Sequence, residues 1–478
     1  MVFSSPLFLC YFLPVFLGLY WLAPRAFKNA VALGASLLFY AWGGLSFLGL
    51  FLGSVIVNFF LIRGMAAEAV RWRQRVYLIT SVVINVAMLF YFKYANFFVA
   101  NIAAVQNYFG GPALSWQKVV LPIGISFFTF EKLTYTIDVY RGVNKPLRSF
   151  WDFLLYIMLF PKLIAGPIVR FHEIAGQLDA EGRYPFETTD HKLAGLFRFT
   201  LGLAKKVLIA NVLGEQADRV FSLDPTTLPL LTAWAGAVAY TLQIYFDFSG
   251  YSDMALGLGR LIGFQFPENF NSPYISRSIT EFWQRWHITL GRWMRDYLYI
   301  PLGGNRVHPS RLYLNLCTVF VLSGFWHGAA WTFVAWGAYH GFFLVLERLF
   351  LLRIYRAISW FSLLPTLLIT VFGWVLFRAD TLAGALRYWR ALGGQNHGPR
   401  IANLYFGPEF TYTLLLAAAA SLAAALPGVA RWELRQLAAT PLTTGAAWRL
   451  SASTVLLLVL SLSYLVGSSF NPFIYFRF

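Results

Sequence analysis

The hydrophobic positions of this 478-residue chain group into long apolar runs separated by short polar segments. Runs of this length with few charged residues are typical of helices that cross a membrane. Several runs are shorter than the roughly 20 residues that a full crossing needs, so some must be tilted, paired or re-entrant. We therefore predict about 10–13 membrane segments. They lie near 6–23, 30–44, 46–62, 76–92, 119–138, 151–169, 193–211, 230–247, 312–328, 330–350, 360–377, 409–427 and 451–467.

The segment 278–300 has a different pattern, because its apolar residues recur at steps of three and four. Ser278 followed by Glu281 is a capping-box start. The pattern predicts one amphipathic helix at a membrane surface, too charged to span, with His287 on or near its polar boundary. The apolar positions are Phe282, Trp283, Trp286, Leu290, Trp293, Met294 and Tyr297, and the charged ones are Glu281, Arg285, Arg292, Arg295 and Asp296.

The composition agrees with a polytopic, all-α membrane protein. The chain is 58% hydrophobic and 12% charged, whereas a soluble domain carries about twice that charged fraction. We expect one integral membrane domain over residues 1–478, with no separate soluble domain. Cys10 and Cys317 both lie in apolar runs, so neither a disulfide framework nor a cysteine metal site is indicated.

The net charge of +17 would suggest a nucleic-acid partner in a soluble protein. In a membrane protein, Lys and Arg accumulate in cytoplasmic loops and beside anionic headgroups. We therefore expect membrane lipids, and no nucleic acid, as partners.

The distribution of basic residues also predicts the topology. No positive charge precedes the apolar run 6–23, which is the reverse of a cleavable signal peptide. The first helix should therefore remain, with Met1 outside. The positive-inside rule then places the basic loops in the cytoplasm. Their residues are Arg25, Lys28, Arg63, Arg71, Arg73, Arg75, Arg141, Lys145 and Arg148.

His327 is the strongest candidate for chemistry. No Lys, Arg, Asp or Glu falls between Arg311 and Glu347, and His327 is the only histidine in the apolar segment 312–336. Such a group is costly at membrane depth and indicates a functional site; imidazole can also take a proton near pH 7. The alternative is a buried histidine bonded to a backbone carbonyl.

The other histidines are weaker candidates. His287 could instead be an interfacial histidine on a helix surface, and His340 is expected to be structural or to line a tunnel. The remaining histidines are expected in loops and receive no role: His172, His191, His308 and His397.

Four stretches combine Gly, Pro and isolated polar residues within apolar sequence: 121–142, 160–170, 242–254 and 323–328. Broken backbone at membrane depth is tolerated only where protein or a water-filled cavity satisfies it. The pattern therefore predicts a polar pocket or tunnel, although each polar residue alone could be a structural ion pair or an interfacial anchor. Its expected border residues are Glu131, Asp138, Lys162, Asp247 and Asp253.

Other catalytic motifs are missing from the sequence. There is no metal-ligand spacing, so no metal is expected. Gly-x-Ser-x-Gly and a phosphate loop are also missing.

Together with 281–306, the four stretches resemble the membrane-bound O-acyltransferase family, and within it the bacterial proteins that O-acetylate exopolysaccharides such as alginate. The likeness extends nearly from end to end. It includes 1–5, 92–96, 297–306, 373–379 and 472–478.

The resemblance implies a fold with a central tunnel and acyl transfer across the inner membrane. The Trp-His-Gly motif makes His327 the general base, and the motif Arg285-Trp-His makes His287 the second site residue. The expected donor is cytoplasmic acetyl-CoA, with no permanently bound cofactor, and Arg285, Arg292 and Arg295 could bind it or anchor lipid headgroups. The acetyl group would pass to a periplasmic acetyltransferase partner within a polysaccharide synthesis complex, or directly to a sugar hydroxyl.

Two alternatives stay open. One is transfer of D-alanine or another acyl group from a carrier protein, by a member of the same family. The other is a transporter or flippase without chemistry, which intramembrane charges and broken helices also suit. Inverted-repeat symmetry would favour a transporter, whereas the paired histidine motifs favour an enzyme.

Overall fold

The computed structural model describes residues 2–112, 114–178, 187–396, 404–426, 441–468, 470–472 and 474. All regular elements in this part of the chain are helices, which confirms the all-α prediction. The chain divides into two compact units. The first unit comprises 1–188 and 259–267, and the second comprises 189–258 and 268–478. The single domain over 1–478 stays a prediction.

Most helices of the first unit overlap the predicted apolar runs, whereas those at Ala95–Tyr108 and Phe171–Leu178 lie outside them. Short π-helical turns at Phe8–Phe12 and Phe90–Tyr94 precede α1 and α4. The α-helices are α1 (Leu13–Leu22), α2 (Lys28–Ala67), α3 (Arg71–Leu89), α4 (Ala95–Tyr108), α5 (Ile125–Tyr140), α6 (Phe150–Met158), α7 (Phe160–Leu163) and α8 (Phe171–Leu178).

The second unit holds the remaining helices, except for the last turn of the helix Leu230–Leu261, which belongs to the first unit. π-helical segments at Lys205–Ala210, Arg295–Tyr299 and Glu347–Leu351 each continue directly from the α-helix before them. The α-helices are α9 (Thr189–Ala204), α10 (Asn211–Phe221), α11 (Leu230–Leu261), α12 (Ile279–Arg285), α13 (Ile288–Met294), α14 (Pro309–His327), α15 (Trp331–Leu346), α16 (Leu352–Ile358), α17 (Leu363–Arg378), α18 (Leu382–Leu392), α19 (Pro408–Ala423) and α20 (Thr444–Gly467).

Four helical stretches of the described chain are long and apolar enough to cross a membrane, which confirms a polytopic membrane protein. They are Arg25–Ala67, Arg71–Tyr108, Trp331–Arg378 and Thr444–Gly467. The first stretch is interrupted at Gly44, whose backbone is non-helical. That break falls between the predicted spans 30–44 and 46–62. The total number of crossings stays a prediction.

The predicted span 151–169 is wrong as a continuous helix. Ser149 caps α6, its side chain accepting a hydrogen bond from the Asp152 N–H. The helix ends at Met158, and α7 is only four residues long. Pro161 lacks a backbone N–H and cannot continue the helix that precedes it.

The single amphipathic helix predicted over 278–300 is also wrong, because the chain breaks between α12 and α13. Trp286 is extended, and His287 has a left-handed backbone with φ of 45°. Histidine is among the residues that tolerate this conformation. The Ser278 cap is confirmed, since its hydroxyl accepts the Glu281 N–H at 3.0 Å, but the Glu281 carboxylate accepts the N–H of Arg277 rather than that of Ser278.

α14 and α15 pack so closely that their backbones are in contact. A Cβ added to Gly324 would lie 2.2 Å from the carbonyl oxygen of Phe333, and one added to Gly337 would lie 2.3 Å from that of Phe320. Both glycines are therefore needed for this close approach. The contact lies one turn from His327, so it sets where the imidazole stands.

Some predicted features lie outside the described residues. These are Met1, His397, and residues 473 and 475–478 of the terminal motif.

Candidate functional site

His327 is the last residue of α14 and is surrounded by aromatic rings. It is half-buried. Its ring centroid is 4.9 Å from that of Trp326, 5.3 Å from that of Trp336 and 5.4 Å from that of Phe377. It lines a cavity of about 20 Å³, called here the small cavity, which has room for about one water molecule. The other lining residues are Ile244, Phe248, Trp286, Trp336, Trp374, Phe377 and Ile474.

His287 lies in the break between α12 and α13 and is buried, with 2% of its surface exposed. The prediction that it lies near a polar boundary is therefore wrong. Asn269 holds this break in place. Its side-chain oxygen lies 3.0 Å from His287 Nδ1 and accepts hydrogen bonds from the N–H and the hydroxyl of Thr289, at 3.3 and 2.9 Å.

These contacts define the tautomer of His287. The Thr289 backbone N–H can only donate, so the Asn269 atom that it meets must be the amide oxygen. His287 Nδ1 must then donate as well, which leaves Nε2 with a lone pair. Nε2 is buried without a hydrogen-bond partner. Burial lowers the pKa of His287 to about 3, so the ring is neutral at pH 7.

His287 lines a second cavity of about 400 Å³, called here the large cavity. This volume is in the range of small-molecule sites. The cavity combines apolar walls from α12, α13 and α14 with three arginines, Arg292, Arg295 and Arg348. It suits a ligand that has both apolar and anionic parts.

Trp326 lies close to both imidazoles. Its ring centroid is 6.5 Å from that of His287 and 4.9 Å from that of His327. The ring centroids of the two histidines are therefore at most about 11.4 Å apart, which is the sum of these two distances. A continuous tunnel between the two cavities stays a prediction.

Two of the three predicted donor-binding arginines line the large cavity, namely Arg292 and Arg295. Arg285 is instead held by the carboxylate of Glu281 at 2.9 Å and donates to the carbonyl oxygen of Asn271 at 3.1 Å. Arg285 is not among the residues that line the cavity.

The five acidic and basic residues expected to border a polar pocket line neither cavity. Glu131, Lys162, Asp247 and Asp253 are in ion pairs, as the alternative interpretation held, and Asp138 is hydrogen-bonded to His172. The contacts are Glu131 with Lys162 at 2.6 Å, Asp138 with His172 at 3.2 Å, Asp247 with Lys206 at 2.6 Å, and Asp253 with Arg198 at 2.6 Å and Lys205 at 2.7 Å.

His340 is buried among aromatic rings and lines neither cavity. Its ring centroid is 5.0 Å from that of Trp283 and 5.1 Å from that of Trp336. A Cβ added to Gly373 would lie 2.7 Å from its Nε2. This close packing agrees with a structural role. His308 contacts the hydroxyl of Ser310 at 2.9 Å.

Sequence reasoning missed Asn269, Arg348 and Ile474. Arg348 follows the apolar helix α15 directly, and a basic residue at that place reads as an ordinary headgroup anchor. Nothing local distinguishes Asn269 or Ile474, because their partners are distant in sequence.

Comparison with known proteins identifies the family. Residues 129–377 match the model of the membrane-bound O-acyltransferase family, a range that includes both histidines. The chain is 48% identical to a probable alginate O-acetylase of Azotobacter vinelandii, over 82% of this chain and 78% of that protein. It is 42% identical to a probable alginate O-acetylase of Pseudomonas putida over the full length of both chains. A peptidoglycan O-acetyltransferase of Helicobacter pylori is 34% identical over all of this chain and 98% of that one. The chain therefore belongs to the membrane-bound O-acyltransferase family and is an O-acyltransferase.

Proposed function

We propose that this protein takes an acetyl group from cytoplasmic acetyl-CoA and uses it to O-acetylate an exopolysaccharide such as alginate. The acetylases to which it is similar support the acyl group and the acceptor class. The observation on which the proposal depends is the arrangement of the two histidines. One lines a large cavity with three arginines, the other lines a small aromatic cavity, and the ring of Trp326 lies close to both.

The large cavity is the proposed donor site. Coenzyme A carries several phosphates, which arginine forks bind well, and Arg292, Arg295 and Arg348 are the cavity's cations. The apolar walls suit the uncharged pantetheine arm. Nε2 of His287 has no hydrogen-bond partner in the protein, so it could accept a hydrogen bond from bound acetyl-CoA. Its role is to bind and orient the donor, since a ring with a pKa of about 3 stays neutral.

His327 is the proposed general base. It takes the proton of the acceptor hydroxyl as the oxygen attacks the carbonyl carbon of the thioester. The new C–O bond forms, the C–S bond breaks, and the imidazolium returns the proton to the leaving thiolate. A positioned general base raises the reaction rate by about 10²–10⁴-fold. The positive charge that forms on His327 lies at the C-terminus of α14, where the helix dipole stabilises it.

The surrounding rings exclude water from this step. Trp336, Phe377 and Trp374 all line the small cavity. Its volume of about 20 Å³ leaves little space for bulk water. Water that reached the thioester would hydrolyse it, so a dry aromatic site favours transfer to the sugar.

The proposal places the protein in the bacterial inner membrane, with the donor cavity facing the cytoplasm and the N-terminus in the periplasm. The acetyl group would then leave on the periplasmic side. It would go to a periplasmic acetyltransferase partner within a polysaccharide synthesis complex, or directly to the polymer.

His327→Ala tests the base. We expect loss of polymer acetylation at unchanged membrane abundance, by at least the roughly 10²-fold that a base contributes. His308→Ala is the matched control, because that exposed histidine lines neither cavity. The readouts are polymer acetyl content in cells and transfer of label from acetyl-CoA in inverted membrane vesicles.

Wild-type acetylation by an abundant His327→Ala protein would refute the assignment. Transfer from a loaded carrier protein, with none from acetyl-CoA, would replace the proposed donor.

A further inference from the structure

The chain segment before residue 475 is tied into the second unit by buried polar contacts. Lys206 and Asp247 form an ion pair at 2.6 Å, with 4% and 1% of their side chains exposed. Lys206 Nζ donates to the carbonyl oxygen of Pro472, and Asp247 accepts the backbone N–H of Ile474 at 2.8 Å. Asn211 donates to the side chain of Asn471 at 3.2 Å. These contacts fix the backbone at both sides of residue 473.

These contacts place the Ile474 side chain beside His327. Ile474 is 5% exposed and lines the small cavity together with His327. Most of the other walls are aromatic rings on long helices, such as Trp336 on α15 and Phe377 on α17. Ile474 instead belongs to a chain segment that follows α20 and is held by the contacts of Lys206 and Asp247.

The small cavity is a tight fit for an acyl group. Its volume of about 20 Å³ suits one water or a group as small as a methyl. Packed aromatic walls do not yield readily, and adding a methylene to a well-packed site strains its neighbours. An acetyl group extends beyond its carbonyl by one methyl. Longer acyl chains would collide with the wall.

We propose that Ile474 is a specificity-determining residue that restricts transfer to acetyl by closing the small cavity against longer acyl groups. This inference rests on acetyl transfer at His327 as proposed above. Ile474 lies beyond residues 129–377, which match the family model. This part of the cavity wall therefore comes from outside residues 129–377. A substitution there can change the preference for acyl-chain length while His287 and His327 are kept.

The test compares acyl donors in membrane vesicles. Wild type, Ile474→Ala and Ile474→Val are supplied with labelled acetyl-, propionyl- and butyryl-CoA, and transfer to polymer is measured. One methylene in an apolar pocket is worth about 10–200-fold in discrimination. We expect Ile474→Ala to raise the ratio of propionyl to acetyl transfer by at least about tenfold, and Ile474→Val to raise it less.

Leu450→Ala is the matched control, because Leu450 is a buried aliphatic residue on α20 that lines neither cavity. Its donor ratio should equal that of wild type. An unchanged ratio in Ile474→Ala, or an equal rise in Leu450→Ala, would overturn the inference while acetyl transfer by wild type still supports the proposed function. If Ile474→Ala does not reach the membrane, an unchanged ratio in Ile474→Val overturns it. No transfer from acetyl-CoA by wild type would instead refute the function itself.

Discussion

At the scale of single residues, the two histidines have different surroundings and therefore suit different tasks. His287 is buried, neutral and fixed in one tautomer by Asn269. His327 is half-buried at a helix C-terminus, where a positive charge is stabilised. A neutral imidazole that can accept a hydrogen bond suits the binding of acetyl-CoA. An imidazole that can hold a proton suits general-base catalysis.

Asn269→Asp should make the activity depend on pH through His287. A carboxylate beside Nδ1 favours the imidazolium and raises the pKa of His287 from about 3. The donor would then meet a protonated Nε2, which cannot accept a hydrogen bond. Activity should therefore fall as the pH drops through the raised pKa, while wild type shows no such acid limb from His287 above pH 5. The measurement is the pH–rate profile of acetyl transfer from pH 5 to 8.

Asn271→Asp is the control, because Asn271 is an exposed residue two positions along the chain. Its profile should match wild type. If Asn269→Asp and wild type have the same profile at equal abundance, Asn269 does not position the ring.

At the scale of elements, the start of α12 is held by a residue that follows another helix. Glu347, just after α15, accepts hydrogen bonds from the first N–H groups of α12, those of Ile279 and Thr280, and from the Thr280 hydroxyl at 2.6 Å. The acidic side chain neutralises the partial positive charge of the helix start. Because Thr280 and Arg348 both line the large cavity, this contact joins two of its walls.

Glu347→Gln should weaken donor binding and lower stability. The amide keeps one acceptor oxygen but presents an NH₂ group to backbone donors. Hydrogen bonds to a charged group are worth about 1.5–3 kcal/mol, so we expect a loss of that order in the free energy of unfolding. The KM for acetyl-CoA should rise. Thermal unfolding in detergent and initial rates against donor concentration measure the two effects.

Glu281→Gln provides the comparison, since its pair with Arg285 is partly exposed at side-chain exposures of 32% and 26%. Exposed pairs of this kind are worth about 0–1 kcal/mol. Equal effects of the two substitutions would show that the α12 cap has no special importance.

At the scale of the whole molecule, the structure supports one part of the predicted topology within the first unit. Arg63 donates to the carbonyl oxygen of Arg148 at 3.4 Å, and Arg71 donates to that of Tyr140 at 3.3 Å. The basic loops 63–75 and 141–148 therefore lie side by side. They must face the same side of the membrane, as the positive-inside rule requires.

We predict that this side is the cytoplasm. A single cysteine at position 73, in a background without Cys10 and Cys317, should resist an impermeant thiol reagent added to intact spheroplasts and react once the membrane is opened. Arg73 is exposed, so a cysteine there is accessible to the reagent. A cysteine at position 145 should behave in the same way because it lies in the adjacent basic loop. Labelling of either in intact spheroplasts would reverse the orientation and the donor side.

The sequence by itself determined the helical class, the approximate place of most of the apolar helices, the separation of spans 30–44 and 46–62, and the prominence of His327. These features depend on local properties: long apolar runs specify membrane helices, and an ionisable group within such a run is visible without a structure. The pattern at 278–300 also predicted the correct apolar positions, since Phe282, Trp286 and Leu290 are buried.

The tertiary structure decided what the same pattern could not. The helical spacing of apolar residues continues through His287, although the helix itself breaks there. The side chain of Asn269 stabilises the break by hydrogen bonds to His287 and Thr289, which the spacing does not predict. Arg348 enters the large cavity and Ile474 closes the small one because chain segments far apart in sequence meet. Propensity and periodicity report interactions over a few residues. The walls of a cavity are set by packing between helices, and only the folded chain brings those residues together.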